Sequence, residues 1–184
     1  MGAIIVTGIP GVGKTTVMET AAKQRKLPVV VYGTVMFEVA RRRKLVKSRD
    51  EMRKLAPAMQ KEIQRDAAVA IAAMGDVIVD THCSIKTPAG YLPGLPAWVL
   101  EALQPSALVL VEADAAEILR RRQADATRNR DADTLEAIVE HQEVNRRFAA
   151  ACATLTGATI HTVYNHDDQV EAAIRQMMPV VGGA

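Results

Sequence analysis

Gly8-Ile9-Pro10-Gly11-Val12-Gly13-Lys14-Thr15 fills every fixed position of the pattern G-x-x-x-x-G-K-[ST], directly after the apolar run Ala3 to Val6. The residue types explain the chemistry. Glycines let the backbone curl until successive N–H groups point inward at phosphate oxygens, with no Cβ in the way. A helix beginning near Gly13 adds its positive end. Lys14 then reaches the β- and γ-phosphates as a point charge, the Thr15 hydroxyl takes a Mg²⁺ position, and Thr16 lies near the α-phosphate. The pattern predicts a protein that grips a nucleoside triphosphate.

Val77-Ile78-Val79 reads as a buried strand that delivers Asp80 to its C-terminal end, where a P-loop enzyme holds Mg²⁺ through a carboxylate. Asp76 precedes the same strand and falls at the opposite edge. Arg120, Arg121, Arg122, Arg128 and Arg130 follow the next strand. Arg128 and Arg130 lie in the wholly polar stretch Thr127 to Asp133, which suits a lid closing over the transferred phosphoryl group and excluding water. At least one of the three consecutive arginines faces solvent, because neighbouring helix positions point apart. His82 reads as a hydrogen-bonding spacer, Cys83 as a small packed residue, and His141, His161 and His166 as surface or strand residues. No clear general base accompanies these groups. That fits a phosphate acceptor, which is already ionised and needs only positioning and charge neutralisation. Absence of an N-K-x-D motif counts against a guanine-nucleotide switch.

The elements that must position these residues alternate between strand and helix, which predicts an α/β fold: a five-stranded parallel sheet with helices on both faces. Strands are expected at Ala3 to Val6, Pro28 to Val31, Val77 to Val79, Leu108 to Val111 and Ala158 to Tyr164. The first helix is expected over Lys14 to Lys23. Gly33 is expected to break the chain before the next. Ser48 with Glu51, Asp114 with Glu117, Asp133 with Glu136 and Asp168 with Glu171 read as capping boxes. Pro57 restarts a helix that Gly75 ends, and Pro179 with Gly182-Gly183 terminates the last one. Thr81 to Pro96, rich in Gly and Pro, reads as a long ordered loop.

At 184 residues, 49% hydrophobic and 24% charged, the chain suits one domain with its own core. Aromatics at 3% leave few stacking platforms for exposed bases, which disfavours a reader of single-stranded nucleic acid. A net charge of +2 implies no polyanionic partner by itself, but residues 41 to 65 carry ten basic side chains against three acids. Cys83 and Cys152 are the two cysteines, without metal-ligand spacing, so neither zinc nor a disulfide framework is indicated. No signal peptide or membrane-length apolar run is evident, and a cytoplasmic location is expected.

The phosphate loop, Tyr32-Gly33-Thr34-Val35-Met36-Phe37-Glu38-Val39, Arg49-Asp50-Glu51-Met52-Arg53-Lys54-Leu55 and Asp80-Thr81-His82 together resemble the archaeal-type adenylate kinases. Lys86-Thr87-Pro88-Ala89-Gly90-Tyr91-Leu92-Pro93-Gly94-Leu95-Pro96, Asp125 to Asp131, Glu140 to Glu143 and Leu155 to Thr159 extend the likeness along almost the whole chain. The resemblance implies a P-loop kinase fold over residues 1–184 with strand order 2-3-1-4-5, and reversible phosphoryl transfer from MgATP to AMP. It also implies a cytoplasmic homotrimer, a monophosphate-binding helical segment over about 33–74 that includes Gly33 and Thr34, and a short lid over about 120–133. Long-lid relatives carry an arginine where Phe37 stands and Gly-Phe-Pro-Arg after the acid, where Thr81-His82 stand here. Other cations must then hold the AMP phosphate, and Arg53 and Lys86 are the candidates. Val31 stands where the archaeal type is expected to carry a polar residue, which bears on acceptor choice. Two kinds of alternative remain open on the residues alone. One is a kinase for UMP, CMP or a small metabolite, with Asp80 or His82 as base. The other is an RNA-associated ATPase using the basic stretch.

Overall fold

The structure, a computed structural model, describes residues 2–124 and 134–182. The chain runs β1 (Ala3–Thr7), α1 (Lys14–Arg25), β2 (Val29–Val31), α2 (Tyr32–Arg42), α3 (Arg49–Arg53), α4 (Pro57–Ala72) and β3 (Val77–Asp80). There follow β4 (Ser84–Thr87), β5 (Gly90–Pro93), α5 (Ala97–Leu103), β6 (Ala107–Glu112), α6 (Ala115–Ala124), α7 (Leu135–Thr156), β7 (Thr159–Tyr164) and α8 (Val170–Val181). Five strands form one parallel sheet in the order β2-β3-β1-β6-β7, which is the order the resemblance implies.

Alternation along the strands sorts their side chains to two faces. Ile4, Val6, Ile78 and Val109 pack into one core with Val17, Met18 and Met177 of α1 and α8. Ala3, Ile5, Val77, Val79 and Leu108 pack into a second with residues of α4, α5 and α7, among them Ala67, Ile71, Leu100 and Ala149. Helices therefore cover both faces, as the continuous apolar strands require. The arm formed by α2, α3 and α4 has a smaller core of its own, centred on Ala40, Val46 and Ile63. No helix among the described residues is long and apolar enough to cross a membrane.

Several local expectations change. Thr81 to Pro96 is not loop throughout: β4 and β5 pair antiparallel from Ser84↔Pro93 to Thr87↔Gly90, turning through Pro88-Ala89 with Gly90 at φ 119. Proline early and glycine late in that turn are ordinary hairpin chemistry, and their density hid the strands. Gly33 does not break the chain, since α2 starts at Tyr32 directly after β2. Ser48 does cap α3, accepting from the Glu51 N–H at 3.3 Å. The Glu51 carboxylate reaches one residue further back, to the Lys47 N–H at 2.6 Å. Glu117 returns to the Asp114 N–H at 3.0 Å as expected. Asp133 lies outside the described residues, and Thr134 caps α7 by accepting from Ala137 N–H at 3.2 Å. Asp168 takes φ 58, which leaves Gln169 at the cap of α8 without a side-chain bond. Pro179 sits inside α8, and His141 is buried on α7 against the Tyr91 ring rather than at the surface.

Candidate active site

The loop from Gly8 to Gly13 joins β1 to α1 at the C-terminal edge of the sheet, where open parallel sheets bind ligands. Where its carbonyls go explains what its amides are free to do. Arg122 Nε donates to Pro10 O at 2.8 Å, Asn165 Nδ2 to Val12 O at 2.8 Å, and Arg121 Nη1 to Val12 O at 3.3 Å. The His82 ring lies with Nδ1 3.2 Å from Gly8 O, which fits a spacer rather than a catalyst. With these carbonyls held outward, the first-turn amides of α1, which have no intrahelical acceptor, are left for an anion. Gly13 caps the helix at φ 77, and a Cβ there would sit 2.3 Å from Asn165 Nδ2. Only glycine fits both demands. Of the three adjacent arginines, Arg120 turns outward to Asp167 at 2.8 Å, while Arg121 and Arg122 brace the loop.

Lys14 is buried, its ammonium in contact with the Asp80 carboxylate and donating to Thr81 O at 3.1 Å. The pairing Val6↔Asp80 between β1 and β3 places Asp80 at the C-terminal edge of the sheet, next to the strand whose following loop leads to Lys14. Burial pulls the Lys14 pKa down to about 8, a fall that the neighbouring Cys83 partly opposes. Thr15 and Asp80 line the same cleft and offer a hydroxyl and a carboxylate oxygen, the hard donors that Mg²⁺ takes. Asp76 is at the far edge, where it accepts from the Gly2 N–H at 2.7 Å. Another cluster, Asp114, Glu117 and His166, has its ligand atoms within 4.8 Å of one another. The Glu117 oxygens there already accept from the N–H groups of Asp114 and Asp167 and lie 3.0 Å from His166 Nδ1, which describes a loop clasp rather than a metal site.

The cleft has a volume of about 820 Å³ and runs from Ile9, Pro10, Gly11, Gly13, Lys14 and Thr15 across to the arm. Gly8, Val12 and Thr16 do not line it: Val12 is fully buried and Thr16 is exposed. On the arm side stand Gly33, Met36, Arg49, Arg53 and Gln64. Thr34 is reached indirectly, its hydroxyl accepting from Arg49 Nη2 at 2.7 Å. Lys86 is exposed on β4 and does not line the cleft, because the hairpin turns that side chain away. Arg128 and Arg130 lie outside the described residues.

Arg49 is the cation the sequence did not single out; it lines the cleft and lies 5.7 Å from the centre of the Phe37 ring. Its place opposite Thr34 depends on how α3 folds back on α2, which no local pattern encodes. Gln64 was missed too, although one signal was available: it sits on the α4 stripe that continues through buried Ala67, Ala68 and Ile71. A polar residue on a buried stripe needs a partner. Several of the ten basic residues in 41 to 65 also have local partners, with Arg43 on Glu62 and Asp66, Arg53 on Asp50, and Lys61 over the Trp98 ring at 4.6 Å.

An AAA domain family matches residues 7–139. Among solved structures, the chain is similar to shikimate kinase from Bacteroides thetaiotaomicron, with TM-score 0.60 and 14% identity over 99% of each chain. It is similar also to shikimate kinase from Aquifex aeolicus, with TM-score 0.57 and 17% identity over 98% of this chain and 96% of that one. These likenesses establish the P-loop kinase fold. Sequence relatives say more. The chain is 53% identical to the adenylate kinase of Methanothermobacter thermautotrophicus over 98% of its length and 100% of the relative's. It is 54% identical to that of Methanopyrus kandleri, over 98% of each chain. With that of Thermoplasma acidophilum it shares 50% over 96% of this chain and 97% of the other. Identity at this level along the whole length, on a cleft that faces a phosphate loop toward a basic arm, settles the matter: the chain belongs to the adenylate kinase family.

Proposed function

We infer that the protein is an adenylate kinase, an ATP:AMP phosphotransferase that reversibly converts ATP and AMP into two ADP. The observation that carries this reading is one cleft lined by Lys14 and Asp80 on one side and by Arg49 and Arg53 on the other. A donor triphosphate lies on the loop amides and Lys14, and the acceptor phosphate faces the arm arginines. An oxygen of the AMP phosphate attacks the γ-phosphorus in line. The bond to the β–γ bridging oxygen breaks, and that oxygen keeps the electron pair as ADP departs. No base is needed at the acceptor. Lys14 neutralises charge on the β- and γ-oxygens, and the positive end of α1 assists. Thr15 and Asp80, which line the same cleft, would hold Mg²⁺, and the ion would supply neutralisation of the phosphate charge.

Residues 33–74 make up the acceptor-binding arm in this reading, and 120–133 the lid. Arg128 and Arg130 close on the transferred group. Replacing either with Ala should at least double acceptor-independent ATP hydrolysis through lost water exclusion, and unchanged transfer in both variants would remove them from the mechanism. The resemblance further supports a cytoplasmic homotrimer, which light scattering tests directly as the mass of three chains against one. The deciding assay for function incubates the protein with MgATP and each of AMP, GMP, CMP and UMP, with a no-acceptor control. ADP formed fast from AMP alone is the expected result. Turnover without acceptor, especially if RNA stimulates it, would favour an RNA-associated ATPase.

A further inference from the structure

Gln64 is held at both ends. Its backbone carbonyl accepts from the Tyr32 phenol at 2.6 Å, and its side-chain Oε1 accepts from the Trp98 indole Nε1 at 2.9 Å. An indole N–H only donates, so the carboxamide atom facing it is the oxygen, and the orientation of the amide is fixed by chemistry. The amide nitrogen then points away from Trp98, and among the described residues it has no acceptor, while Gln64 lines the arm side of the cleft. Trp98 is itself pinned, half-buried against the second core and under the Lys61 ammonium. The result is a donor of fixed polarity at the acceptor end of the cleft. Val31, Met36 and Ile85 supply apolar surface there for the faces of a flat ring.

We propose that Gln64 reads the base of the acceptor nucleotide and that Trp98 is the positioning residue that sets its polarity. The inference rests on the reading above, in which a nucleoside monophosphate occupies this end of the cleft. On the edge that distinguishes the purines, N1 of adenine is an acceptor and N1 of guanine or hypoxanthine carries a hydrogen. An amide donor facing N1 makes a hydrogen bond with AMP. With GMP or IMP it sets donor against donor, leaving two polar groups unpaired in a partly buried site. Cytosine also offers a ring-nitrogen acceptor, so rejection of CMP falls to ring size and the apolar walls.

The test compares kcat/KM for AMP and IMP in the wild type, in Gln64→Glu and in Trp98→Phe. Glutamate keeps the chain length and still accepts from Trp98 but turns the cleft-facing donor into an acceptor. The AMP:IMP ratio should fall about ten- to hundredfold in this variant, with the KM for ATP unchanged. Trp98→Phe frees the carboxamide to rotate and should lower the ratio about severalfold. A merely structural Trp98 would weaken both acceptors alike. The wild-type protein provides a second measurement that needs no variant. Trp98 is the sole tryptophan of the chain, so its fluorescence reports binding, and 1-deaza-AMP, which has C–H in place of N1, should bind about tenfold more weakly than AMP. An AMP:IMP ratio unmoved in Gln64→Glu, or equal affinity for AMP and 1-deaza-AMP, overturns the inference while AMP kinase activity stands. A wild-type protein that does not phosphorylate AMP overturns the functional reading and the inference with it.

Discussion

The two sides of the cleft are built to different standards. On the donor side the loop carbonyls are clamped by Arg121, Arg122 and Asn165, and Val6, Val12, Val17 and Met18 beneath them are almost wholly buried. The outer part of the arm, α2, α3 and the first turns of α4, rests on Ala40, Val46 and Ile63 with a ring of half-buried Met, Leu and Phe residues, while the later turns of α4 join the second sheet core through Ala67, Ala68 and Ile71. The difference teaches that the phosphate grip is preorganised, whereas the outer part of the acceptor arm is held by few buried contacts, the condition for local opening at low free-energy cost. An enzyme that must admit two anionic nucleotides and then exclude water needs one fixed side and one that yields.

The sharpest break of this contrast is Lys14→Ala. On the donor side a single charge carries much of the stabilisation of the transferring group, so the rate should fall about 10²–10³-fold or more, with the protein still folded by circular dichroism. Near-normal turnover would remove the phosphate grip as the seat of catalysis. Next comes Ile63→Ala in the arm core. Deleting a buried branched side chain costs about 2–5 kcal/mol, and the low end applies where the surroundings can collapse. Hydrogen exchange should quicken in α2 and α4 before it changes in α1, and the KM for AMP should rise while that for ATP holds. Equal exchange in α1 and α4 would mean that the arm and the sheet open as one unit.

Both sides were unequally legible in the sequence, for the same physical reason. Gly13, Lys14, Thr15 and Asp80 sit where a local pattern, a strand end followed by a tight turn and a helix start, fixes geometry by itself. Sheet composition likewise needed only the continuous apolar strands. The arm depends on tertiary folding back. Arg49 meets Thr34 only because α3 returns over α2, and Gln64 meets Trp98 across 34 positions of chain. Lys86 looked available on sequence because β4 and β5 read as loop, yet a hairpin register alternates its side chains and sends this one outward. His141, polar by type, is buried because α7 packs across the tilt of Tyr91.

A milder test sets the titration of Lys14 against arginines that keep their charge. With its pKa at about 8, below the ordinary lysine value of 10.5, Lys14 in the free protein loses its proton as pH rises through about 8. Bound phosphates favour the charged form, so nucleotide binding takes up a proton in this window. ATP affinity should then fall by up to about tenfold per pH unit above 8. Stability moves the other way. Between pH 8 and 10.5 the unfolded chain holds more protons at this lysine than the folded one, so this residue's contribution to stability rises with pH across that interval. AMP affinity on the arm side, set by guanidinium groups, should hold over the same range, and Lys14→Arg should flatten the ATP limb. Parallel loss of both affinities would place the titrating group elsewhere.

The smallest expected effect is at Ser48, whose hydroxyl caps the five-residue helix α3 that carries Arg49 and Arg53 into the cleft. Removing a serine cap costs about 0.5–2 kcal/mol of helix stability, and a helix this short has little propensity to spare. Because α3 buries no residue, that loss should scarcely move the melting temperature of the whole protein. It should instead appear as a higher KM for AMP in Ser48→Ala, with kcat and the KM for ATP near their original values. Ser48→Asp, which caps as well and places an anion at the helix N-terminus, should restore the AMP value. If Ser48→Ala instead lowers the melting point as much as Ile63→Ala does, the arm is less separable from the sheet than its thin core implies, and the contrast between the two sides of the cleft weakens accordingly.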